Sequence, residues 1–456
     1  MNDTPMDARR ARSQASAPKT FNVLRGKAFF RPFWAFLKEL PQDYVGTLAK
    51  VQSHHGDLVH WRIFGGVMHF AFISDAEVNR ELYVRNVDAL NKSPSQIQTF
   101  LYAAGPSVAT AHGEAWRIKR KEANSLFSRK IIEASCAGQV AVVRDYIDTL
   151  GPAPLDAILL ARRLAAFTSS RGILGHAITQ TEADVQIAFS KAAADRFNVE
   201  SGQVFPRPHW MLAPWRKELT RRKNEVFPIV QKAIEALRGT DTPNDGLMNH
   251  YVNGAFVTSN DAEMRTILVG LLMGAQDNVA AAAGWCLAFL AHHPKLQAEI
   301  QSEIQDLGDE AADLHKASLL KATLLEVLRA RPPAPANQPR LLKQSVEIAG
   351  YTLPKGTFIF NSFYNMHHNP EVFAEPQVFD PTRFFDESLV RSSSMVPFGH
   401  GARNCVAQGM ATQQLMALVV GILRGYRITA RDEHFPQIEQ NPFLCPAPFE
   451  INLEKV

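Results

Sequence analysis

Residues 397–407 read Pro-Phe-Gly-His-Gly-Ala-Arg-Asn-Cys-Val-Ala. Glycines let this backbone fold tightly around one sulfur, that of Cys405. Arg403 stands two residues before it, and a helix-forming run, Met410 to Leu423, follows. The free N–H groups and macrodipole at the start of a helix stabilise negative charge, which favours a thiolate at Cys405. A thiolate held in this way is a ligand for a soft metal or for haem iron. Lone cysteines are more often buried and inert, so the reading depends on what else the chain supplies.

Three further constellations supply it. Trp116 and Arg120, in Gly113-Glu114-x-Trp116-x-x-x-Arg120, are four apart and share one helix face. An indole N–H and a guanidinium aimed together suit an anion. Glu326 and Arg329, three apart on the helical run Leu319–Arg329, form a carboxylate–guanidinium pair on one face. Pro332-Pro333 ends that helix. Gly350 to Thr357, His367-His368-Asn369-Pro370 and Phe379-Asp380-Pro381-Thr382-Arg383-Phe384 follow in order. Last, a nearly uninterrupted apolar segment, 261–292, carries Gly274-Ala275-Gln276-Asp277-Asn278-Val279 and then four alanines, Ala280–Ala283. Polar groups in a buried helix are costly unless they are used, and alanines leave room for a flat ligand against the backbone.

The elements that must position these groups are mostly helical. Ser259-Asn260-Asp261 offers caps for the long helix, and His293-Pro294 stops it. Ala141–Leu150, Glu225–Leu237 and Ala298–Asp306 have helical period. Val59–Phe64 and Met68–Ile73 around Gly65-Gly66 read as a β-hairpin. Val346–Ile348 and Thr357–Phe360 read as short strands, with a turn at Pro354-Lys355-Gly356. The expected fold is mainly α with a small β region, one domain over residues 21–456 preceded by a flexible basic tail, residues 1–20. The composition is that of a soluble globular chain: 46% hydrophobic, 21% charged, with a net charge of +4 that is too small to argue for nucleic acid. Four widely spaced cysteines, Cys136, Cys286, Cys405 and Cys445, speak for a reducing compartment and against a disulfide framework or structural zinc. No apolar leader or spanning anchor precedes the body, and the short apolar stretch Phe29–Leu37 is broken by Arg31 and Pro32. A cytoplasmic protein with no membrane span is expected.

The cysteine loop resembles the haem-binding loop of the cytochrome P450 family, Phe-x-x-Gly-x-Arg-x-Cys-x-Gly. Phe398, Gly401, Arg403 and Cys405 stand where that pattern wants them, and Ala407 replaces its last glycine. The order and spacing of the segments from Glu326 to Phe384 are similar to the family's second half, and the resemblance runs from Val59 to the C-terminus. It implies the single-domain fold of that family, haem b (iron protoporphyrin IX) as cofactor and Cys405 as axial ligand. It implies propionate contacts from Trp116, Arg120, Arg340 and Arg403, with Phe398 packing at the haem loop. Glu326, Arg329 and Arg383 would form a buried charge network that locks the fold. The basic residues Arg117, Lys119, Lys121, Arg129 and Lys130 lie where the family receives an acidic electron donor of ferredoxin or flavodoxin type. The substrate pocket would be lined from Asn91–Ala109 and Phe197–Trp215, with Phe100, Leu101 and Ala275 as candidates. A monomer acting in secondary metabolism fits this pattern.

One position departs. Family monooxygenases usually carry an acid followed by threonine on the central helix. Here the acid is Asp277 and the next residue is Asn278, an amide that relays protons poorly. The substrate supplies a hydroxyl, or water relays from Asp277, or dioxygen is not the oxidant. The run Gln276-x-Asn278 resembles the branch that holds prostacyclin synthase and the sterol 7-hydroxylases. Three functions follow. The first is a monooxygenase oxidising an apolar small molecule with O2 and electrons from separate partners. The second is a hydroperoxide or endoperoxide isomerase, or a peroxide-driven peroxygenase, needing no reductase. The third is a non-catalytic haem-binding sensor.

Overall fold

A computed structural model describes residues 19–25, 27–40, 42–201, 211, 213–238, 245–252, 261–441 and 443–456. The basic tail expected over 1–20, residues 202–210 of the expected pocket segment and the cap candidates Ser259 and Asn260 therefore lie wholly or mostly outside the described residues.

The chain opens with β1 (Asn22–Arg25) and α1 (Lys27–Glu39), then β2 (Leu58–Ile63) and β3 (Met68–Ile73). The expected hairpin is present. Gly65 at φ +69° and Gly66 at φ +95° make its turn, a conformation that side chains with a Cβ resist. Next come α2 (Ala76–Val84), β4 (Leu90–Lys92), α3 (Pro94–Ala104), α4 (Gly113–Leu126) and α5 (Cys136–Asp148). Four long helices follow: α6 (Ala157–Leu174), α7 (Gln180–Ser201), α8 (Ala213–Arg238) and α9 (Asp261–His292). Then α10 (Ser318–Ala330), β5 (Arg340–Leu342), β6 (Phe358–Asn361) and α11 (Gln408–Leu423) complete the parts that matter for the site.

Six strands form the main sheet in the order β1-β2-β3-β6-β5-β4. Its register joins remote parts of the chain: β3 runs parallel to β6, pairing Phe70 with Phe358, and β4 runs antiparallel to β5, pairing Lys92 with Arg340. The largest core cluster gathers α5, α6, α9, α10 and α11 around Trp285, which is fully buried and donates its indole N–H to the Leu444 carbonyl at 2.8 Å. Helix α9 is long and apolar enough to cross a membrane by length and composition, but 56% of its apolar window is buried inside the protein, as suits a central core helix.

The helix read over Glu225–Leu237 is only the second half of α8. Its first half is largely charged, with Arg221 bonded to Glu218 at 2.6 Å and to Glu225 at 2.5 Å, while Trp215 and Leu219 pack inward on a core cluster. Ion pairs at these spacings support a helix whose apolar stripe is sparse.

Candidate functional site

The cysteine loop is held from within and from three sides. Cys405 N–H donates to the Phe398 carbonyl at 2.8 Å, closing the loop, and Gly399 (φ +81°) and Gly401 (φ +63°) provide its bends. A Cβ at Gly401 would stand 2.3 Å from the Tyr83 carbonyl oxygen, so α2 packs backbone to backbone on the loop. Arg120 of α4 reaches the loop with both terminal nitrogens, donating to the Asn404 carbonyl at 2.6 Å and to Asn404 Oδ1 at 2.5 Å. The guanidinium expected at a propionate is thus committed to the residue before Cys405. Arg403 turns back over the Trp116 ring, 3.6 Å from its centroid, a cation–π contact between two of the predicted contact residues. Phe398 packs against the main core cluster.

The sulfur itself is exposed at its face although the residue lies deep. Burial raises the Cys405 pKa, and the Ala407 N–H and Arg120 pull it down only in part. The thiolate expected from the helix start alone does not follow; iron would have to displace the proton, as metals do at cysteine ligands. Burial pushes Cys136, Cys286 and Cys445 up to about 12, so these three are inert thiols.

Beside the loop, positive groups crowd together. Lys92 and Arg340 are direct cross-strand partners on β4 and β5, each 8% exposed. Like charges placed opposite each other destabilise a sheet unless something stands between them. Burial, then Arg340 and Arg403, push Lys92 down to about 7. Burial and the same arginine, Arg340, push Arg403 down to about 10. His112 is lowered by burial and by Lys92, Arg403 and Arg340. Arg340 Nε, Arg403 Nη1 and His112 Nδ1 are buried with no hydrogen-bond partner. The carboxylate that Arg403 feels, Asp88, is already bonded to Arg117 at 2.9 Å. A pocket of cations and orphaned donors next to a cysteine sulfur fits a cofactor that carries carboxylates and a thiophilic metal, which is what haem would bring.

A chain of buried amides fastens this region to the loop. His400 Nδ1 accepts from Asn79 Nδ2 at 2.9 Å, Asn361 Nδ2 donates to Asn79 Oδ1 at 3.0 Å, and Asn361 Oδ1 accepts from the Asn337 N–H at 2.8 Å. Tyr83, 1% exposed, hydrogen-bonds Arg340, Asn337 and Asn361. His400 is held neutral by burial, down at about 4, which suits its role as acceptor.

Helix α10 carries the predicted charge network, joined to this region through His367, whose carbonyl accepts from Arg329 at 3.0 Å. Glu326 and Arg329 are both fully buried and bidentate, at 2.6 and 2.7 Å. Arg383 approaches Glu326 at 3.5 Å and bonds the Ala374 and Glu375 carbonyls. Glu326 and Arg329 share the face that their spacing implied, and Arg383 joins them as the resemblance implied.

A cavity of about 220 Å³ lies over α9. Met273, Gly274, Asp277 and Asn278 line it from one face of the helix, the i, i+3, i+4 stripe expected of a helical wall. Thr99, Phe100 and Ala103 line it from α3, and Ser190, Ala193, Ala194 and Phe197 from α7. Phe100 meets Phe197 edge-on with ring centroids 5.3 Å apart. Two candidates need correction. Leu101 is 42% exposed on the outer face of α3, one residue and about 100° round the helix from Phe100. Ala275 packs against the second core cluster, while the open side of Gly274, with nothing within 4 Å of a Cβ, faces the cavity. Asp277 accepts a hydrogen bond from Ser190 at 2.5 Å, and burial raises its pKa.

Sequence reading missed Lys92, His112, Tyr83 and the amide chain. Lys92 looks like any surface lysine until β4 is paired with β5, and no local pattern reports that pairing. In the basic cluster on α4 and after it, Arg117 pairs with Asp88 and Arg129 with Glu133 at 2.6 Å, leaving Lys121 and Lys130 as exposed cations and Lys119 half-buried.

A family model described as Cytochrome P450 matches residues 29–452. The chain is similar to steroid 17-alpha-hydroxylase/17,20 lyase of Felis catus, 26% identical over 448 residues that cover 89% of this chain and 87% of that protein. It is similar to flavonoid 3'-monooxygenase of Arabidopsis thaliana, 22% identical over 433 residues, 86% of this chain and 83% of that protein. Among solved structures, retinoic acid bound cyanobacterial CYP120A1 matches with a TM-score of 0.73 at 20% identity, covering 91% of this chain and 94% of that one. At that identity the match speaks for the fold.

Proposed function

Because the chain belongs to the cytochrome P450 family, whose members here are monooxygenases, we propose that it oxidises an apolar small molecule with O2, drawing electrons from separate carrier proteins. The observation that carries this reading is a set of cations, Lys92 and Arg340 buried and Arg403 half-buried, that form no ion pair among the described residues and stand beside an accessible Cys405. Haem b, when bound, supplies the activation of oxygen and its insertion into a carbon–hydrogen bond. Cys405 holds the iron. Lys92, Arg340, Arg403 and His112 neutralise the propionates, and Arg120 keeps the loop closed through Asn404. Trp116 backs Arg403. The cavity wall orients the substrate and excludes water, and Asp277 holds a proton at its edge. Glu326, Arg329 and Arg383 keep α10 and the following loops in place behind the site.

The exposed Lys121 and Lys130, with the half-buried Lys119 beside them, give an acidic ferredoxin- or flavodoxin-type donor a surface to approach. All four cysteines are free, which suits a reducing compartment such as the cytoplasm. Residues 21–456 act as one catalytic domain and as a monomer.

The test is spectroscopic. Purified protein reduced under carbon monoxide should show the absorption band of sulfur-ligated haem, and Cys405→Ala should lose it. Colourless wild-type protein, or an unchanged band in the variant, refutes the proposal. Asn278 in the cavity wall supports a second reading, an isomerase or peroxygenase that consumes peroxides without a reductase. Under that reading Asn278→Thr abolishes turnover; under the first it improves reductase-coupled oxidation.

A further inference from the structure

The cavity wall is not uniform. Most of it is apolar side chain from α3 and α7 and the proline-rich loop after α10. At one place α7 and α9 bring two polar groups together, where Ser190 Oγ donates to Asp277 Oδ2 at 2.5 Å. Ser190 is 1% exposed, so its hydroxyl serves the carboxyl and little else. Asp277 keeps part of its surface, and Oδ1 has no hydrogen-bond partner among the described residues, although it lies deep between two helices. The surface it keeps is cavity surface. Asn278 lines the same wall. No lysine, arginine or histidine lines the cavity among the described residues.

We propose that Asp277, braced by Ser190, anchors a hydroxyl group of the substrate, so that the cavity takes neutral molecules with an apolar body and one hydroxyl and refuses carboxylates. The inference deepens the monooxygenase reading and rests on it, since it names the substrate class of the same site.

The chemistry follows from what each group can offer. A hydroxyl donates one hydrogen bond and accepts others, so it satisfies Asp277 whether the carboxyl is ionised or protonated. Burial raises the pKa of Asp277, and the Ser190 bond offsets part of that rise. An ether oxygen cannot donate, and it satisfies only the protonated acid. A carboxylate would leave water for a mostly apolar wall, meet no cation among the described residues and face another acid, which is unfavourable. Arg162 and Lys191 act on Asp277 electrostatically but do not line the cavity, so neither can pair with a bound anion.

The experiment uses haem-loaded protein and three matched probes: citronellol, its methyl ether and citronellic acid at pH 7.5. Binding is read from the shift of the haem band and, independently, by calorimetry. The alcohol should bind roughly tenfold tighter than the ether, the gain of one hydrogen bond to a charged or strongly polar partner. The acid should bind at least about tenfold more weakly than the ether. Asp277→Ala should remove the alcohol's advantage over the ether, and Ser190→Ala should reduce it. If Asp277→Ala does not fold, Asp277→Val makes the same comparison, and the wild-type series stands without either. The proposal is overturned if the alcohol does not bind, if the acid binds as tightly as the alcohol, or if the alcohol's advantage survives loss of the Asp277 carboxyl. Protein that takes up no haem fails the monooxygenase reading instead, so the two failures are told apart by colour.

Discussion

Replacing Glu326 by glutamine removes one charge from a pair that has no access to water. Glu326 accepts from Arg329 Nε at 2.6 Å and Nη2 at 2.7 Å, and its Oε1 also accepts the Asp380 N–H at 2.9 Å. Both side chains of the pair are 0% exposed. Glutamine keeps one acceptor but aims an NH2 group at a guanidinium, and it strands a buried positive charge. Breaking a buried pair from one side costs about 3–5 kcal/mol. For a chain of 456 residues, an unfolding entropy near 2.1 cal/mol/K per residue gives roughly 1 kcal/mol per degree at the midpoint. The melting temperature should therefore fall by about 3–5 °C, read by scanning calorimetry at pH 7.5. The double variant Glu326→Gln with Arg329→Met removes the stranded charge and should recover most of that loss, giving a coupling of the same sign and size. A single variant that melts within about 1 °C of the parent would show that the pair is worth no more than a surface ion pair, and the argument for a buried lock would fail.

Lys92, held near pKa 7 by burial and by Arg340 and Arg403, is mostly uncharged at pH 8.5, and an anionic cofactor should restore its charge. Haem loading also releases the Cys405 proton, so the uptake at Lys92 is read as a difference: in calorimetry with buffers of different ionisation enthalpy, Lys92→Met should release close to one proton more than the parent, and equal proton counts would refute the assignment. His367 is fully buried; it donates from Nδ1 to the Arg329 carbonyl and accepts the Val396 N–H at Nε2, and burial holds it down at about 3. Its neutral form is required by the fold, so its contribution is complete above pH 6.5 and is lost as pH falls toward 3. Stability should drop by about 2 kcal/mol between pH 6.5 and 5 from this group, seen as a urea midpoint that falls less steeply in His367→Gln, the remaining slope coming from His368 and His400. Gly401→Ala puts a methyl group 2.3 Å from the Tyr83 carbonyl and should cost several kcal/mol and most of the bound pigment, while Gly350→Ala, at a similar φ but with open space, should cost only about 1 kcal/mol; equal effects of the two would contradict the close packing of α2 on the loop.

What the chain discloses on reading is what it writes locally. The cysteine loop, the Glu326–Arg329 pair and the long apolar helix each occupy a short stretch with its own spacing, and each lies where that spacing put it. The hairpin is legible for the same reason, since two glycines sit between two apolar runs. Lys92 was illegible because its meaning comes from Arg340, its partner across a strand pairing that no local pattern announces. Asn79, Tyr83 and Asn361 were hidden likewise: a buried asparagine in sequence looks like a turn residue until its partners are known. Leu101 and Ala275 failed for a smaller reason. Helical period tells which residues share a face, but the cavity's direction fixes which face is wet, and one residue of error turns a side chain by about 100°. The charged first half of α8 shows the converse, a helix whose stripe, Trp215 and Leu219, is too sparse to read.

The parallel pairing of β3 with β6 has a consequence for biosynthesis. Strand β3, Met-His-Phe-Ala-Phe-Ile, leaves the ribosome long before residues 358–361 exist to cover its second edge. At ordinary elongation rates that gap lasts about 15–60 s. During this interval a six-residue, largely aromatic and aliphatic ribbon offers unpaired N–H and C=O groups to any other nascent chain. Yield from a heterologous host should therefore depend on holdase chaperones acting early in translation more than on the supply of porphyrin.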